Sequence, residues 1–200
     1  MASYKDLMGV LGKLYGADEE ALRGQMRGRV QNLQKMGIPL GLQVGKGRKI
    51  NYERSQFYQI VLCMELAELG IMPGQIAALV RSLWSVQFKT IFNSEWLSTS
   101  QDDILFCFAF NLISDSWKQN IDNSLPMSIR YVVPEGRLLW VTAAEFPMQL
   151  KRLNETGMRH FSVINITALV RDVEKLLVGI LPPPGSSEPD GGLTAPPGHG

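Results

Sequence analysis

The chain has 200 residues, 45% of them hydrophobic, and a net charge of +1, which suits one large or two small domains with an ordinary core. Its apolar runs fall short of the roughly 18 residues that a spanning helix needs, and Met1–Gly16 lacks the charged start and small-residue cleavage site of a signal peptide. These features speak against a membrane-spanning protein and predict a cytoplasmic one.

The charge is unevenly placed. Residues 1–89 carry 12 Lys and Arg against 7 Asp and Glu, a net +5, whereas residues 90–200 carry 8 against 12, a net −4. A basic front and an acidic back predict a polyanion as partner of the front half. Cys63 and Cys107 sit inside the apolar runs VLCMEL and LFCFAF, so both thiols read as core packing rather than a disulfide framework or metal site.

Taken in order, Tyr4–Tyr15 has Leu7, Val10, Leu11 and Leu14 at helical spacing. Gly16–Ala17 breaks the pattern, and Asp18 is the expected N-cap of a second helix over Glu19–Met36. The two short helices and the small-residue turn between them predict a helix-turn-helix. At about 100° per residue, Leu22, Met26, Val30, Leu33 and Met36 share one side of the second helix. The opposite face collects Arg23, Arg27, Gln31, Gln34 and Lys35, together with Gly24 and Gly28. Arg and Lys hold phosphates, while Arg, Gln and Asn read base edges. Asn32 therefore joins Arg23, Arg27, Gln31 and Lys35 as a candidate contact. Arg29 falls near the apolar side and is expected in a structural ion pair.

Gly37 closes the helix and Pro39 prevents its restart. In LGLQVGKGRKINY, Leu42, Val44, Ile50 and Tyr52 flank a basic tip, predicting a hairpin wing. Lys46, Arg48, Lys49 and Tyr52 are its candidate DNA contacts. The GKG tripeptide lacks the spacing of a phosphate-binding P-loop. Helices are expected over Phe57–Leu69 and Pro73–Trp84.

With Lys35-Met36-Gly37-Ile38 ending the second helix, Tyr52 after the basic loop, then Leu69-Gly70-Ile71, Ile76 and Leu79, residues 5–84 resemble the MerR family of bacterial regulators. The resemblance implies a winged helix-turn-helix that holds DNA. Two positions depart from the family pattern: Gln31 stands where an arginine is usual, and Arg48 is displaced from the wing's Arg-x-Tyr. The chain also lacks the heptad-rich C-terminal coiled coil of typical members.

Phe88, Ile91 and Phe92 continue the apolar stripe from Trp84, and all four are assigned, with the aromatic-rich remainder, to pairing between two copies. Ser98–Asp103 is a break. Ile104–Phe110 reads as a buried strand, and Met127–Val133 with Arg137–Thr142 as a hairpin about Pro134-Glu135-Gly136. A helix near Phe146–Asn154, a strand over Phe161–Ile166 and a helix over Thr167–Val178 follow. From Pro182 the tail has no periodicity and is expected to be disordered. Asp102-Asp103 reads as loop capping, His160 as structural, and Trp96, Trp117 and Trp140 as core or dimer interface. No HExxH, GxSxG, CxxC or GxGxxG pattern occurs.

The expectation is therefore an α+β protein. It comprises a winged helix-turn-helix domain over 1–97, a small mixed α/β dimerisation, sensing or partner domain over 98–181, and a disordered tail over 182–200. The function read from it is sequence-specific binding of double-stranded DNA in transcription regulation. A homodimer without enzymatic activity, metal or cofactor is expected, with RNA polymerase or another protein as a further partner. An excisionase-like or architectural DNA-bending protein and a winged-helix protein-interaction adaptor are the alternatives.

Overall fold

A computed structural model describes residues 1–17, 19–42, 50–92, 102–109, 138–155 and 161–183. The first strand, β1 (Ala2–Ser3), runs straight into helix α1 (Tyr4–Leu14). Ser3 caps α1 through a reciprocal pair. Its hydroxyl accepts from the Asp6 N–H at 3.2 Å, and its own N–H donates to Asp6 Oδ2 at 2.7 Å. Leu7, Val10 and Leu11 are buried, as their spacing predicts. The helix ends with Gly16 at φ +62°, a left-handed conformation in which only glycine is unstrained.

Helix α2 (Glu20–Lys35) follows, and Glu19 rather than Asp18 is its N-cap, without a side-chain hydrogen bond. Asp18 itself lies outside the described residues. At its other end Gly37 has φ +76°, the Gly37 N–H donates to Gln34 O at 2.9 Å, and the Ile38 N–H donates to Leu33 O at 2.9 Å. This is the glycine stop that the sequence predicts, and it satisfies two of the helix's last carbonyls.

Strand β2 (Asn51–Tyr52) pairs antiparallel with β1 in the register Ala2↔Tyr52 and Ser3↔Asn51. The predicted hairpin tip at 43–49 lies outside the described residues. Helix α3 (Arg54–Glu68) begins earlier than the expected Phe57, because the Glu53 N–H donates to Gln56 Oε1 at 2.9 Å and caps the added turn. Helix α4 (Pro73–Leu83) starts on its proline, where a missing N–H leaves no bond unmade. It continues through a π-helical turn, Trp84–Phe88, into the short α5 (Lys89–Ile91).

That turn aligns Trp84, Phe88 and Phe92 on one side. Phe88 then meets Phe106 edge-on at 5.4 Å and Trp140 at 5.2 Å, while Phe106 stacks on Trp140 at 4.4 Å. Trp84, Phe88 and Phe92 are buried within the chain. The assignment of these three residues to a pairing surface is therefore corrected: Phe88 packs on the chain's own sheet, and Trp84 and Phe92 pack on Phe88, on each other and, for Phe92, on Tyr58.

The sheet is antiparallel, in the order β4-β3-β5, from β3 (Ile104–Ala109), β4 (Leu138–Thr142) and β5 (Phe161–Asn165). Phe106 is opposite Trp140 on one side and Ile164 on the other. Helix α6 (Phe146–Glu155) lies between β4 and β5 in sequence, and α7 (Ile166–Leu177) follows β5 directly. The first half of the expected hairpin, Met127–Val133, lies outside the described residues, as do Trp96, Trp117, both histidines and 184–200 of the tail.

Helix α7 joins the sheet to the front of the chain. Ile166, Val170, Val173 and Leu177 are buried on one stripe, and the helix packs against α1, α3 and β3. The Thr167 hydroxyl accepts from the Ile104 N–H at 2.8 Å. Glu174 accepts from the Tyr58 hydroxyl and from Arg54, and Arg54 also donates to Pro182 O at 2.5 Å. One apolar core therefore runs from Ala2 to Leu177, across the expected boundary at residue 98. The observed class is mixed α+β with small antiparallel sheets. Among the described residues no helix is long and apolar enough to cross a membrane.

Candidate nucleic-acid interface

Helix α2 buries only Met26, Val30 and Leu33. Arg23, Arg27, Gln31, Asn32 and Lys35 are all exposed, so the structure presents these five predicted contacts on one solvent-facing helix. Among the described residues, Arg23, Arg27 and Lys35 have no ion-pair partner. Arg29 differs, donating to Glu68 of α3 at 2.6 Å in the ion pair expected of it.

Gly24 and Gly28 lie on the exposed side, and a Cβ added at either meets nothing within 4 Å. Packing among the described residues thus gives no reason for glycine at these positions, although each disfavours the helix by about 1 kcal/mol relative to alanine. A surface without Cβ atoms lets an external backbone approach closely.

Three expectations about α2 are corrected. Leu22, placed on the buried stripe by the wheel, is 41% exposed because none of the described elements covers the first turns of the helix. It instead edges an open cavity of about 250 Å³ with Tyr15, Met26, Arg29, Met64 and Glu68. Gln34, placed on the polar face, turns inward and donates from Nε2 to the Tyr52 hydroxyl at 2.5 Å. Tyr52, predicted as a DNA contact, is 0% exposed. Its ring packs 6.5 Å from that of Tyr4 and 6.1 Å from that of Phe57. Burial, with Tyr4 adding to it, pushes the Tyr52 phenol up to about 12 against the Gln34 bond. A neutral, enclosed phenol is a support, not a contact. Lys46, Arg48 and Lys49 lie outside the described residues.

The end of α2 is held by a set of polar ties that periodicity does not reveal. Arg81 of α4 donates from a terminal guanidinium nitrogen to Met36 O at 3.1 Å, placing a cation at the negative end of the helix dipole. Just beyond, the Leu40 N–H donates to Gln59 Oε1 at 2.6 Å, and Gln56 Nε2 donates to Leu40 O at 3.2 Å. Both glutamines are buried, where an amide without partners is costly. Their signal in the sequence was polarity inside the otherwise apolar QFYQIVLCM.

In the second half of the chain the exposed cations of α6 are Lys151 and Arg152, and the acidic pair before β3 is tied internally. Asp102 Oδ2 accepts from the Ala144 N–H at 3.0 Å, and Asp103 Oδ2 accepts from Asn165 Nδ2 at 2.9 Å. The pair caps loops, as its position before a strand suggests. Trp140 donates from its indole to Gln87 at 3.0 Å, consistent with a core role. Cys63 and Cys107 are buried, and burial pushes the Cys107 thiol up to about 11. Among the described residues no three His, Cys, Asp or Glu side chains gather to hold a metal. No family model, curated protein or solved structure matches the chain.

Proposed function

We propose that the protein binds double-stranded DNA sequence-specifically as a transcription regulator, with a MerR-like winged helix-turn-helix as its reading unit and two copies acting together on two half-sites. The observation that carries this reading is the outward face of α2. It combines exposed cations without ion-pair partners among the described residues, two amides, and two glycines open to solvent. Arg and Lys supply phosphate contacts, Arg, Gln and Asn supply base contacts, and bare glycine backbone admits a phosphate strand.

The arrangement around α2 supports the same reading. A short helix precedes it across a tight turn, and β2 returns along β1 beside α1. On this reading Arg23 and Arg27, near the start of α2, enter the major groove, and Lys46, Arg48 and Lys49 reach a neighbouring phosphate strand. A single module buries little DNA surface, which is why a two-fold dimer is part of the proposal.

The test is fluorescence anisotropy with a mixed-sequence duplex across a salt series. Binding should weaken with salt, and Arg48→Ala with Lys49→Ala should lower the slope of log affinity against log salt by roughly 0.9 for each phosphate no longer held. A wild-type protein with no salt-sensitive affinity for duplex DNA would move the adaptor reading ahead.

A further inference from the structure

Helix α2 is held unequally along its length. Seven consecutive residues, Glu19–Gln25, are exposed, and the cap has no side-chain hydrogen bond. At the other end lie the Gln34–Tyr52 bond, the Arg81 bond to Met36 O and the two glutamine bonds to Leu40. Between them, Met26, Val30 and Leu33 fix the helix to the core by apolar contact, and the solvent-exposed Arg29–Glu68 pair adds a single surface tie to α3. Apolar contact is non-directional and tolerates rolling and sliding. A hydrogen bond is directional and does not.

The geometry points to Gln34 and Tyr52 as positioning residues that set the angle at which the free end of α2 meets DNA. Gln34 is the only residue of α2 among those described whose side chain donates into the β1–β2 ribbon. Its partner oxygen cannot drift, because the Tyr52 ring is fully enclosed between Tyr4 and Phe57. Gln34 and Arg23 are about 16 Å apart along the helix axis. A tilt of roughly 10° at Gln34 therefore moves Arg23 by about 3 Å, close to the 3.4 Å rise of one base pair. A tilt of that size, opposed by this bond, would carry the reading residues about one step along the duplex while the apolar attachment, the Arg29 pair and the Arg81 bond remain.

The inference rests on the DNA-binding reading and has its own test. Tyr52→Phe removes one buried oxygen and keeps the ring contacts. Wild type and variant are compared on a mixed-sequence duplex of about 30 base pairs and on the duplex that wild type enriches from a pool with a randomised centre. The variant should keep its melting temperature, mixed-sequence affinity and salt slope, while the ratio of selected to mixed-sequence affinity falls about tenfold. Gln34→Leu should do the same, and the double variant should fall no further, since both delete the same bond. An unchanged ratio in folded Tyr52→Phe, or an equal loss on both probes, overturns the positioning role. Should Tyr52→Phe not fold, Gln34→Leu carries the same two outcomes. Failure of wild type to bind either duplex overturns the DNA reading itself, and the positioning role with it.

Discussion

Helices α2 and α3 are neighbours in sequence and close in length, at 16 and 15 residues, yet α2 buries three side chains and α3 buries ten. Helix α3 is apolar on nearly every side and touches α4 and α7, with Tyr15, the C-cap of α1, donating to Val61 O and Glu65. A helix with that pattern belongs in the middle of a protein. Helix α2 has a narrow apolar stripe and a broad polar surface that the fold does not use. The contrast separates two duties that one sequence often mixes: α3 holds the molecule together and α2 is presented by it.

The most severe way to test that division is to cut into α3. Phe57 is 0% exposed and touches Tyr52. Phe57→Ala should cost about 3–5 kcal/mol through lost burial and the cavity left behind, with a melting temperature lower by about 10 °C or more. Arg23→Ala on α2 should stay within about 0.5 kcal/mol of wild type. Calorimetry on the two variants reads the difference, and equal losses would abolish the contrast.

Alkaline pH should load the same side of the comparison. Tyr15, Tyr52 and Tyr58 all have phenols raised from the ordinary 10.0, chiefly by burial, and Glu65 and Glu174 push Tyr15 and Tyr58 further up. Tyr15 bonds to α3 and Tyr58 belongs to it, while Tyr52 packs on Phe57 of α3 and accepts from Gln34 of α2. A raised phenol keeps its proton in the folded chain where the unfolded chain loses it. The folded state then binds more protons, so stability is complete below about pH 10 and declines as pH rises. Urea denaturation between pH 8 and 12 should show this decline, with a shallower fall in Tyr52→Phe, whose buried ring no longer titrates.

Much of this architecture was legible because its signals are local. The stripe Leu7, Val10 and Leu11, the stop at Gly37, the proline start of α4 and the strand Ile104–Ala109 each depend on neighbours a few residues away. What was not legible depends on distance in sequence. The β1–β2 pairing joins residues about fifty apart, and no period announces it. Leu22 looks like core on a helical wheel, but a wheel cannot say where the covering element ends. Tyr52 looked like a surface tyrosine beside basic residues until Tyr4, Gln34 and Phe57 closed around it. The aromatic stripe of Trp84, Phe88 and Phe92 announced burial correctly and its partner wrongly, since rings of the same chain and a second copy demand the same side chains.

On α2 the expected losses concern binding rather than folding. Arg27→Ala or Gln31→Ala should lower the preference for the selected duplex over mixed sequence by about 1–3 kcal/mol where the side chain makes a bidentate base contact. Thermal stability should hardly change, because both side chains are exposed. Anisotropy on the two duplexes beside a melting curve separates these quantities. A variant that loses stability and keeps its preference would place Arg27 or Gln31 in the scaffold instead.

The smallest effect is the most diagnostic, because its two parts have opposite signs. Gly24 and Gly28 sit within α2, exposed, and a methyl group added at either site would meet none of the described residues outside its own stretch of helix within 4 Å. Alanine there creates no clash and reduces the conformational freedom of the unfolded chain, so Gly24→Ala and Gly28→Ala should each stabilise the protein by up to about 1 kcal/mol. If the bare backbone exists to let a phosphate strand approach, the same methyl groups should weaken duplex binding. Stability would then rise while affinity falls, a combination that damage to the fold cannot produce. Chemical denaturation and anisotropy on the same two preparations decide it. Stabilisation with unchanged affinity would show that DNA does not come close to this part of α2, and would shift the contact toward Gln31, Asn32 and Lys35 at the far end of the helix.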